Sequence, residues 1–319
     1  MRAVLHTKYG PPDVLQLKEV DKPVPRDHEL LLKVRAASIN AYDWRHVRAR
    51  PFIIRFMGIG LLRPKHRILG ADIAGQVEAV GRAVSRFHPG DDVFGCGGYG
   101  GFAEYVCVDE KKFVPKPANL TFEEAAAAPM AALTALQGLR DQGKIQAGHK
   151  VLVNGASGGV GSFAVQIAKS FGTEVTGTCR PSKMDFVRSL GADHVVDHTQ
   201  ADVTRQGQTY DLILDTAAYR PISIYRRILR PGGYYVMAGG SLGRMFQLLL
   251  LSMMGIKNMK VFVANANRED LLTISTMLQS GRVRSFIDKR FSLEETADAL
   301  KYLENGRVCG KVVIIPFGA

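Results

Sequence analysis

The run Lys150-Val-Leu-Val-Asn-Gly-Ala-Ser-Gly-Gly-Val-Gly161, continued by Ser162-Phe-Ala-Val-Gln-Ile-Ala-Lys-Ser-Phe171, decides the fold. Its first residues are β-branched and apolar, as a strand buried on both faces requires. Gly155-Ala-Ser-Gly-Gly159 then removes side chains where the backbone must bend sharply. From Val160 the apolar positions Val160, Ala164, Ile167, Ala168 and Phe171 form one helical stripe. The glycines therefore sit between a strand and a helix N-terminus, where free N–H groups and the positive dipole end favour a phosphate. Ala156 takes the first glycine's place of a G-x-G-x-x-G pattern, and a turn serving only helix–sheet packing would look similar. The rest of the chain favours the dinucleotide reading. Strand-like runs recur at Glu174–Thr178, His194–Asp197, Asp211–Asp215, Gly233–Ala238 and Lys260–Ala264, separated by helical or turn segments. With the first run they make six strands alternating with crossovers, an α/β doubly wound parallel sheet of the Rossmann type.

At 319 residues the chain has room for two domains. Its 46% hydrophobic and 23% charged residues are ordinary for a soluble globular protein. Met1-Arg-Ala-Val-Leu-His6 reads as a strand rather than a signal peptide. No apolar run reaches the ~18 residues that span a bilayer. Cys96, Cys107, Cys179 and Cys309 lack CxxC spacing and suit thiols in a reducing cytoplasm. The net charge of +12 fits a nucleic-acid or anionic-membrane partner, or a surface attracting a polyanionic cofactor; charge alone does not choose.

Before the glycine turn the chain is β-rich: Arg2–His6, Leu15–Val20, Glu29–Ala36, Leu69–Gly81, Phe102–Val108 and Lys112–Pro115 read as strands, broken by Gly-Pro-Pro and Pro-Val-Pro. Thr121-Phe-Glu-Glu124 is a capping-box pattern opening an alanine-rich helix, which places a domain boundary near Leu120. After Asn265 come helix (268–280), strand (286–291), helix (293–305) and strand (311–315). These pieces are expected to rejoin the first domain, giving a discontinuous catalytic domain of residues 1–120 and 266–319 around a nucleotide domain of 121–265.

Tyr9-Gly-Pro-Pro-Asp-Val-Leu15, Ser38-Ile-Asn40 with Asp43-Trp44, Leu69-Gly-Ala-Asp-Ile-Ala-Gly75, Ala131-Ala-Leu-Thr-Ala-Leu-Gln137, the glycine turn, Leu190-Gly-Ala-Asp193, Arg230-Pro-Gly-Gly233 and Gly310-Lys-Val-Val313 follow in order. Together they resemble the medium-chain dehydrogenase/reductase superfamily, and within it the zinc-free quinone oxidoreductases and enone reductases. The resemblance implies a GroES-like β-rich catalytic domain, a Rossmann domain and a cleft between them. Where the zinc-dependent branch carries a cysteine and a histidine, this chain has Asn40 and Ala71, which cannot replace a thiolate and an imidazole. No metal is expected. Hydride transfer without a metal needs an acceptor that is already electrophilic, a quinone or an α,β-unsaturated carbonyl. The oxygen that gains charge then needs a hydrogen-bond donor. Asn40 is the first candidate for substrate and nicotinamide contacts, with a strand-end structural role as its alternative. Tyr42 and Tyr99 are candidate phenolic donors, although surface or packing tyrosines are the favoured reading of each, with water supplying the proton; Asp43 and Asp72 read as residues that fix turns under the cleft.

An NAD site carries an acid at the end of the second strand, about 20 residues past the glycines. Here Arg180, Ser182 and Lys183 stand at that end, donors suited to a 2′-phosphate, although Ser182 also reads as a helix N-cap. NADPH is the expected cofactor. The turn residues Ala156, Ser157, Gly158, Gly159 and Val160 are expected at its phosphates, with His198 after strand three where similar enzymes often have a tyrosine. The resemblance further places Thr134, Thr216, Ala217, Gly239, Gly240, Phe262, Val263, Ala264 and Lys311 toward the ribose and nicotinamide.

Between Trp44 and Gly70 lie seven arginines and lysines and no acid, around the apolar Phe52-Ile-Ile-Arg-Phe-Met-Gly-Ile-Gly-Leu-Leu62. A solvated loop, a lid over the cleft and a membrane-skimming surface all fit this pattern. The last strand of the nucleotide sheet is expected at its edge, and the resemblance implies a homodimer through that edge. The expected protein is an NADPH-dependent quinone or enone reductase. The rival is an NADPH-binding redox sensor, structural or RNA-binding protein with little turnover, though no RNA module is recognised.

Overall fold

The computed structural model describes residues 1–50, 52–200, 202–205, 207–218, 220–239, 242–253 and 256–317, and the chain separates into two units. The first comprises Met1–Met130, Ala266–Ser280 and Ser285–Ala319; the second comprises Ala131–Asn265 and Gly281–Arg284.

Unit one opens with the antiparallel pair β1 (Arg2–Leu5) and β2 (Gln16–Glu19). Next come β3 (Glu29–Ile39), α1 (Ala41–Arg48), β4 (Asp72–Val80), β5 (Asp92–Cys96), β6 (Tyr105–Asp109), β7 (Phe113–Pro115) and α2 (Phe122–Ala126). The longest of these strands, β3, is buried along most of its length and pairs antiparallel with both β4 and β6. Thr121 and Glu124 form the reciprocal cap foreseen from sequence. Glu124 N–H donates to Thr121 Oγ1 at 3.1 Å and Thr121 N–H to Glu124 Oε2 at 2.9 Å. Ala125 and Ala126 are fully buried and α2 packs on β3 and β4. The first unit therefore runs on to Met130, past the boundary expected near Leu120.

Unit two contains α3 (Pro129–Gln137, from Ala131 onward), β8 (Lys150–Asn154), α4 (Gly159–Ser170), β9 (Glu174–Cys179), α5 (Met184–Ser189) and β10 (His194–Asp197). It continues with β11 (Tyr210–Asp215), α6 (Ile222–Ile228), β12 (Leu229–Ala238), α7 (Leu242–Met253) and β13 (Met259–Phe262). Its strands pair parallel in the order β10-β9-β8-β11-β12-β13. This is the doubly wound order, with the switch point between β8 and β11. Val151, Leu152, Val153, Ile213 and Leu214 are wholly buried, which explains why these strands read as continuous apolar runs.

The chain then returns to unit one through α8 (Arg268–Gln279), β14 (Ile287–Ser292), α9 (Thr296–Glu304) and β15 (Lys311–Ile315). The last strand lies between β14 and β3, parallel to the first and antiparallel to the second. The expected discontinuous domain is thus closed by the C-terminal strand.

Candidate active site

In unit one the register of β15 on β3 pairs Val312 with Ile39 and so sets Lys311 beside Asn40. Lys311 Nζ donates to Asn40 Oδ1 at 2.5 Å and to the Ile39 carbonyl at 3.3 Å, and stands 3.8 Å from Asp72 Oδ2. Asn40 Nδ2 donates to Asp72 Oδ2 at 2.9 Å and, more weakly, to the Ser38 carbonyl at 3.4 Å. An ammonium only donates, so the amide orientation is fixed by its partners. The Met130 N–H donates to Asp72 Oδ1 at 2.9 Å. Asp43, in the first turn of α1, accepts from Asn40 N–H at 2.8 Å and from Gly70 N–H at 3.1 Å. Asp43 thus caps the start of α1 and ties it to Gly70, whereas Asp72, the first residue of β4, joins the Asn40 amide to the Met130 N–H.

Asp43, Asp72 and Lys311 are almost wholly buried, and burial dominates their titration. It pushes Asp43 up to about 7 against its two backbone donors. It also raises Asp72 against Lys311 and Asn40, and lowers Lys311 against both carboxylates. Cys96, at the end of β5, hydrogen-bonds Asp72, and burial followed by that carboxylate pushes its thiol far above the usual range. Both ends of the Asn40 amide bond inside the protein, in keeping with the strand-end structural role given as its alternative. The Lys311 ammonium is directed into the same cluster.

Beside it stands an aromatic group that sequence reading found only in part. Tyr42 packs on His46 with ring centroids 4.0 Å apart, and Tyr99 stacks on His66 at 3.7 Å. His46 Nδ1 donates to the Tyr42 carbonyl at 2.8 Å, leaving Nε2 to accept from the Tyr99 hydroxyl at 3.3 Å. Burial, then a hydrogen bond with Tyr99, pushes the Tyr42 phenol well above its ordinary value, so it holds its proton. Burial lowers His46 and His66, leaving both rings neutral near pH 7. The signal for His46 was its place one helical turn after Tyr42; His66 carried none.

In unit two the left-handed residue of the turn is Gly155, with φ +82°, where a Cβ would meet Thr216 Oγ1 at 2.7 Å. Gly161 is needed for close packing, since its Cβ would lie 2.1 Å from the Gly155 carbonyl oxygen. Ala156 is fully buried and its N–H donates to the Thr178 carbonyl at 3.0 Å, so it packs the turn and offers no free donor. Ser157 is buried, whereas Gly158, Gly159 and Val160 are half-exposed at the start of α4, where first-turn N–H groups have no intrahelical acceptor.

Past β9, Arg180 and Ser182 are exposed and Lys183 is buried. Lys183, not Ser182, is the N-cap of α5. His198 N–H donates to the Cys179 carbonyl at 3.1 Å, which holds it next to this strand end. Thr216 Oγ1 donates to the Asn154 carbonyl at 2.8 Å. Ala217 and Gly239 are half-buried just beyond β11 and β12; Gly240 lies outside the described residues. Thr134 is half-buried on α3; Phe262, the last residue of β13, is half-buried, and beyond it Ala264 is half-buried and the Val263 side chain is 87% exposed. Gln137 holds that end by exchanging two hydrogen bonds with the Asn265 backbone, at 2.8 and 2.9 Å.

A buried polar network ties the strand ends together. Asn154 Nδ2 donates to Asp215 Oδ1 and the Tyr225 hydroxyl, Thr178 Oγ1 donates to Asn154 Oδ1, and the Tyr235 hydroxyl donates to Asp215 Oδ2, all within 2.6–2.8 Å. Asp215 also accepts the N–H groups of Ala217 and Ala218. Sequence reading overlooked it, although both residues end apolar strands with a polar side chain.

Known proteins resemble the chain along nearly its whole length. Residues 26–118 match the alcohol dehydrogenase GroES-like domain, and residues 190–314 match the model described as zinc-binding dehydrogenase. The chain is 34% identical to 2-methylene-furan-3-one reductase of Solanum lycopersicum over 99% of its own length and 79% of that protein. It is 31% identical to the chloroplastic NADPH-dependent alkenal/one oxidoreductase of Arabidopsis thaliana, over 99% and 80%. The structure superposes on the quinone oxidoreductase of Coxiella burnetii with a TM-score of 0.89 and 28% identity, covering 99% of each chain. These folds, motifs and likenesses together show that the chain belongs to the medium-chain dehydrogenase/reductase superfamily, among its quinone oxidoreductases and enone reductases.

Proposed function

We propose that this protein is a metal-independent, NADPH-dependent reductase of quinones or α,β-unsaturated carbonyls. The observation that carries the reading is the buried cluster around Asn40. The zinc-dependent branch has a cysteine at this position; here an amide bridges Asp72 and an ammonium. Cys96 is held as a thiol, and the Lys311 side chain already fills the space beside Asp72, with Nζ 3.8 Å from its Oδ2. That donor set does not fit a catalytic zinc, which needs three deprotonated or neutral ligands around an open position.

The residues of unit two do fit a dinucleotide. The half-exposed start of α4 suits a pyrophosphate, and Arg180 with Ser182 suits a 2′-phosphate at the end of β9. When bound, the nicotinamide supplies the hydride. Asn154 and Asp215 hold the strand ends of unit two rigid, and Tyr42 of unit one, kept protonated and linked to Tyr99 and His46, is the candidate proton donor. The exposed Phe246, Leu250 and Met253 of α7, next to the edge strand β13, support a homodimer through that edge. A monomer mass by light scattering would remove the dimer.

The test is NADPH and NADH oxidation by chelator-treated protein against an ortho-quinone, a para-quinone, a 2-alkenal and a saturated aldehyde. Turnover of a quinone or the alkenal with NADPH, and none of the saturated aldehyde, is expected. Activity confined to the saturated aldehyde, or lost to the chelator, overturns the reading.

A further inference from the structure

The cations and exposed apolar side chains between Trp44 and Gly70 have no role in the reaction above, and their structure gives them another use. Among the described residues, four of the eleven large apolar side chains that stand exposed fall in one short stretch: Phe52 at 60%, Phe56 at 67%, Leu61 at 47% and Leu62 at 85%. They are held outward by a defined frame. Ile59 is buried as an anchor, and the Tyr9 hydroxyl bonds the carbonyls of Ile59 and Gly60. The Lys65 N–H closes the turn on the Ile59 carbonyl at 2.8 Å, and Gly60 takes φ +110°. Arg55 lies over both Tyr9 and Phe52, at 4.5 and 4.7 Å, and Phe52 packs edge-on against Phe56.

Cations flank these apolar side chains along the chain. Arg48 is paired with Glu304, whereas Arg50, Arg63, Lys65 and Arg67 are exposed and make no ion pair among the described residues. A cavity of about 390 Å³ opens among Tyr9, Arg48, Arg50, Phe52 and Arg55. A phosphate-sized anion would meet guanidinium groups there.

We propose that this face docks peripherally on an anionic lipid surface. Lipid phosphates and carboxylates meet the arginines and Lys65, while Phe52, Phe56, Leu61 and Leu62 enter the interfacial layer. The combination selects this occupant over others. A second copy of the chain would cover the apolar groups but set cations against cations. A polynucleotide would neutralise the cations and leave the two leucines, which cannot stack on bases, in water. An anionic bilayer surface meets both demands. The inference is independent of the reductase reading.

The experiment is co-sedimentation of the intact protein with phosphatidylcholine vesicles, with and without phosphatidylserine, at low and high salt. Binding is expected only with phosphatidylserine, weakening with salt. Removing one exposed cation, as in Arg63→Ala, should weaken it roughly fivefold. The exposed pair Leu61→Ser/Leu62→Ser should weaken it by about tenfold or more with an unchanged melting temperature. Absence of binding at low salt overturns the proposal. So does binding that ignores the leucine substitutions, which would leave a purely electrostatic patch. Preferential binding of a single-stranded oligonucleotide over these vesicles would reassign the face to nucleic acid.

Discussion

Replacing Lys311 by Met tests the Asn40 cluster directly, because the two side chains have similar length and only the charge and its hydrogen bonds disappear. The ammonium is lost from Asn40 Oδ1 and from the neighbourhood of Asp72, both deeply buried. Breaking a buried pair typically costs about 3–5 kcal/mol, since the remaining charge is left uncompensated. Here the penalty has a ceiling: Asp72 can take up a proton. From its ordinary value of 3.8, that uptake costs about 4 kcal/mol at pH 7 and about 2 kcal/mol at pH 5. Loss of the ammonium's own burial penalty, which dominates its lowered titration, offsets part of this.

A net loss of about 2–4 kcal/mol at pH 7 is therefore expected. The sign follows from a carboxylate whose folded value is raised: the native state keeps a proton that the unfolded state releases, so the variant weakens as pH rises from about 4 to 7. Trp44, the single tryptophan, packs against the core of this unit and reports its unfolding. At a urea slope near ~2 kcal/mol/M the midpoint should fall by about 1–2 M at pH 7 and by less than half as much at pH 5. Lys311→Met/Asp72→Asn should recover most of the loss. An equal shift at both pH values, or almost none at pH 7, would refute the argument.

Gly155→Ala places a Cβ at φ +82° against Thr216 and should cost ~1–2 kcal/mol and weaken NADPH binding in a fluorescence titration. Gly158→Ala, at φ −80° with the nearest atom 3.5 Å away, should be tolerated, and equal effects would contradict the turn geometry. Tyr42→Phe should lower kcat for an alkenal ~10²-fold with little change in KM, while quinone reduction, whose oxygens take protons from water, changes less. An unchanged alkenal kcat would remove Tyr42 as donor. Burial lowers His6 from 6.5 to about 4, so the unfolded chain binds an extra proton between those values and stability drains as pH falls through that window. His6→Leu should flatten the acid limb of the melting-temperature profile there; an unchanged slope would show that His6 is not its source.

What the sequence made legible was what short-range pattern encodes. The parallel strands of unit two, buried on both faces, announce themselves as apolar runs, and Thr121 with Glu124 marks a helix start whose bonds are all present. The first unit runs past Leu120 to Met130, and a helix pattern says nothing about which sheet the helix packs on; α2 lies on β3 and β4. Reading the turn against a G-x-G-x-x-G template put weight on Ala156, whereas the left-handed residue is Gly155, one position earlier. Asn154 and Asp215 were passed over because each is unremarkable alone and meaningful only as neighbours on adjacent parallel strands.

The Asn40 cluster shows why its chemistry was harder to read than its fold. Asn40 and Lys311 meet only because β15 pairs with β3 in one register, with Val312 opposite Ile39. A slip of one residue would turn Lys311 to the other face of the sheet and leave Asp72 buried beside an amide alone. The C-terminal strand is therefore part of the site's charge balance as well as the closing piece of a domain. It carries a cation to the place where the zinc-dependent branch builds a metal site. Because that group is buried and tied to Asn40 Oδ1 and the Ile39 carbonyl, we expect it to serve the buried carboxyl groups and not to polarise an unactivated carbonyl. That restriction is the physical reason to expect turnover of acceptors that are electrophilic before they bind.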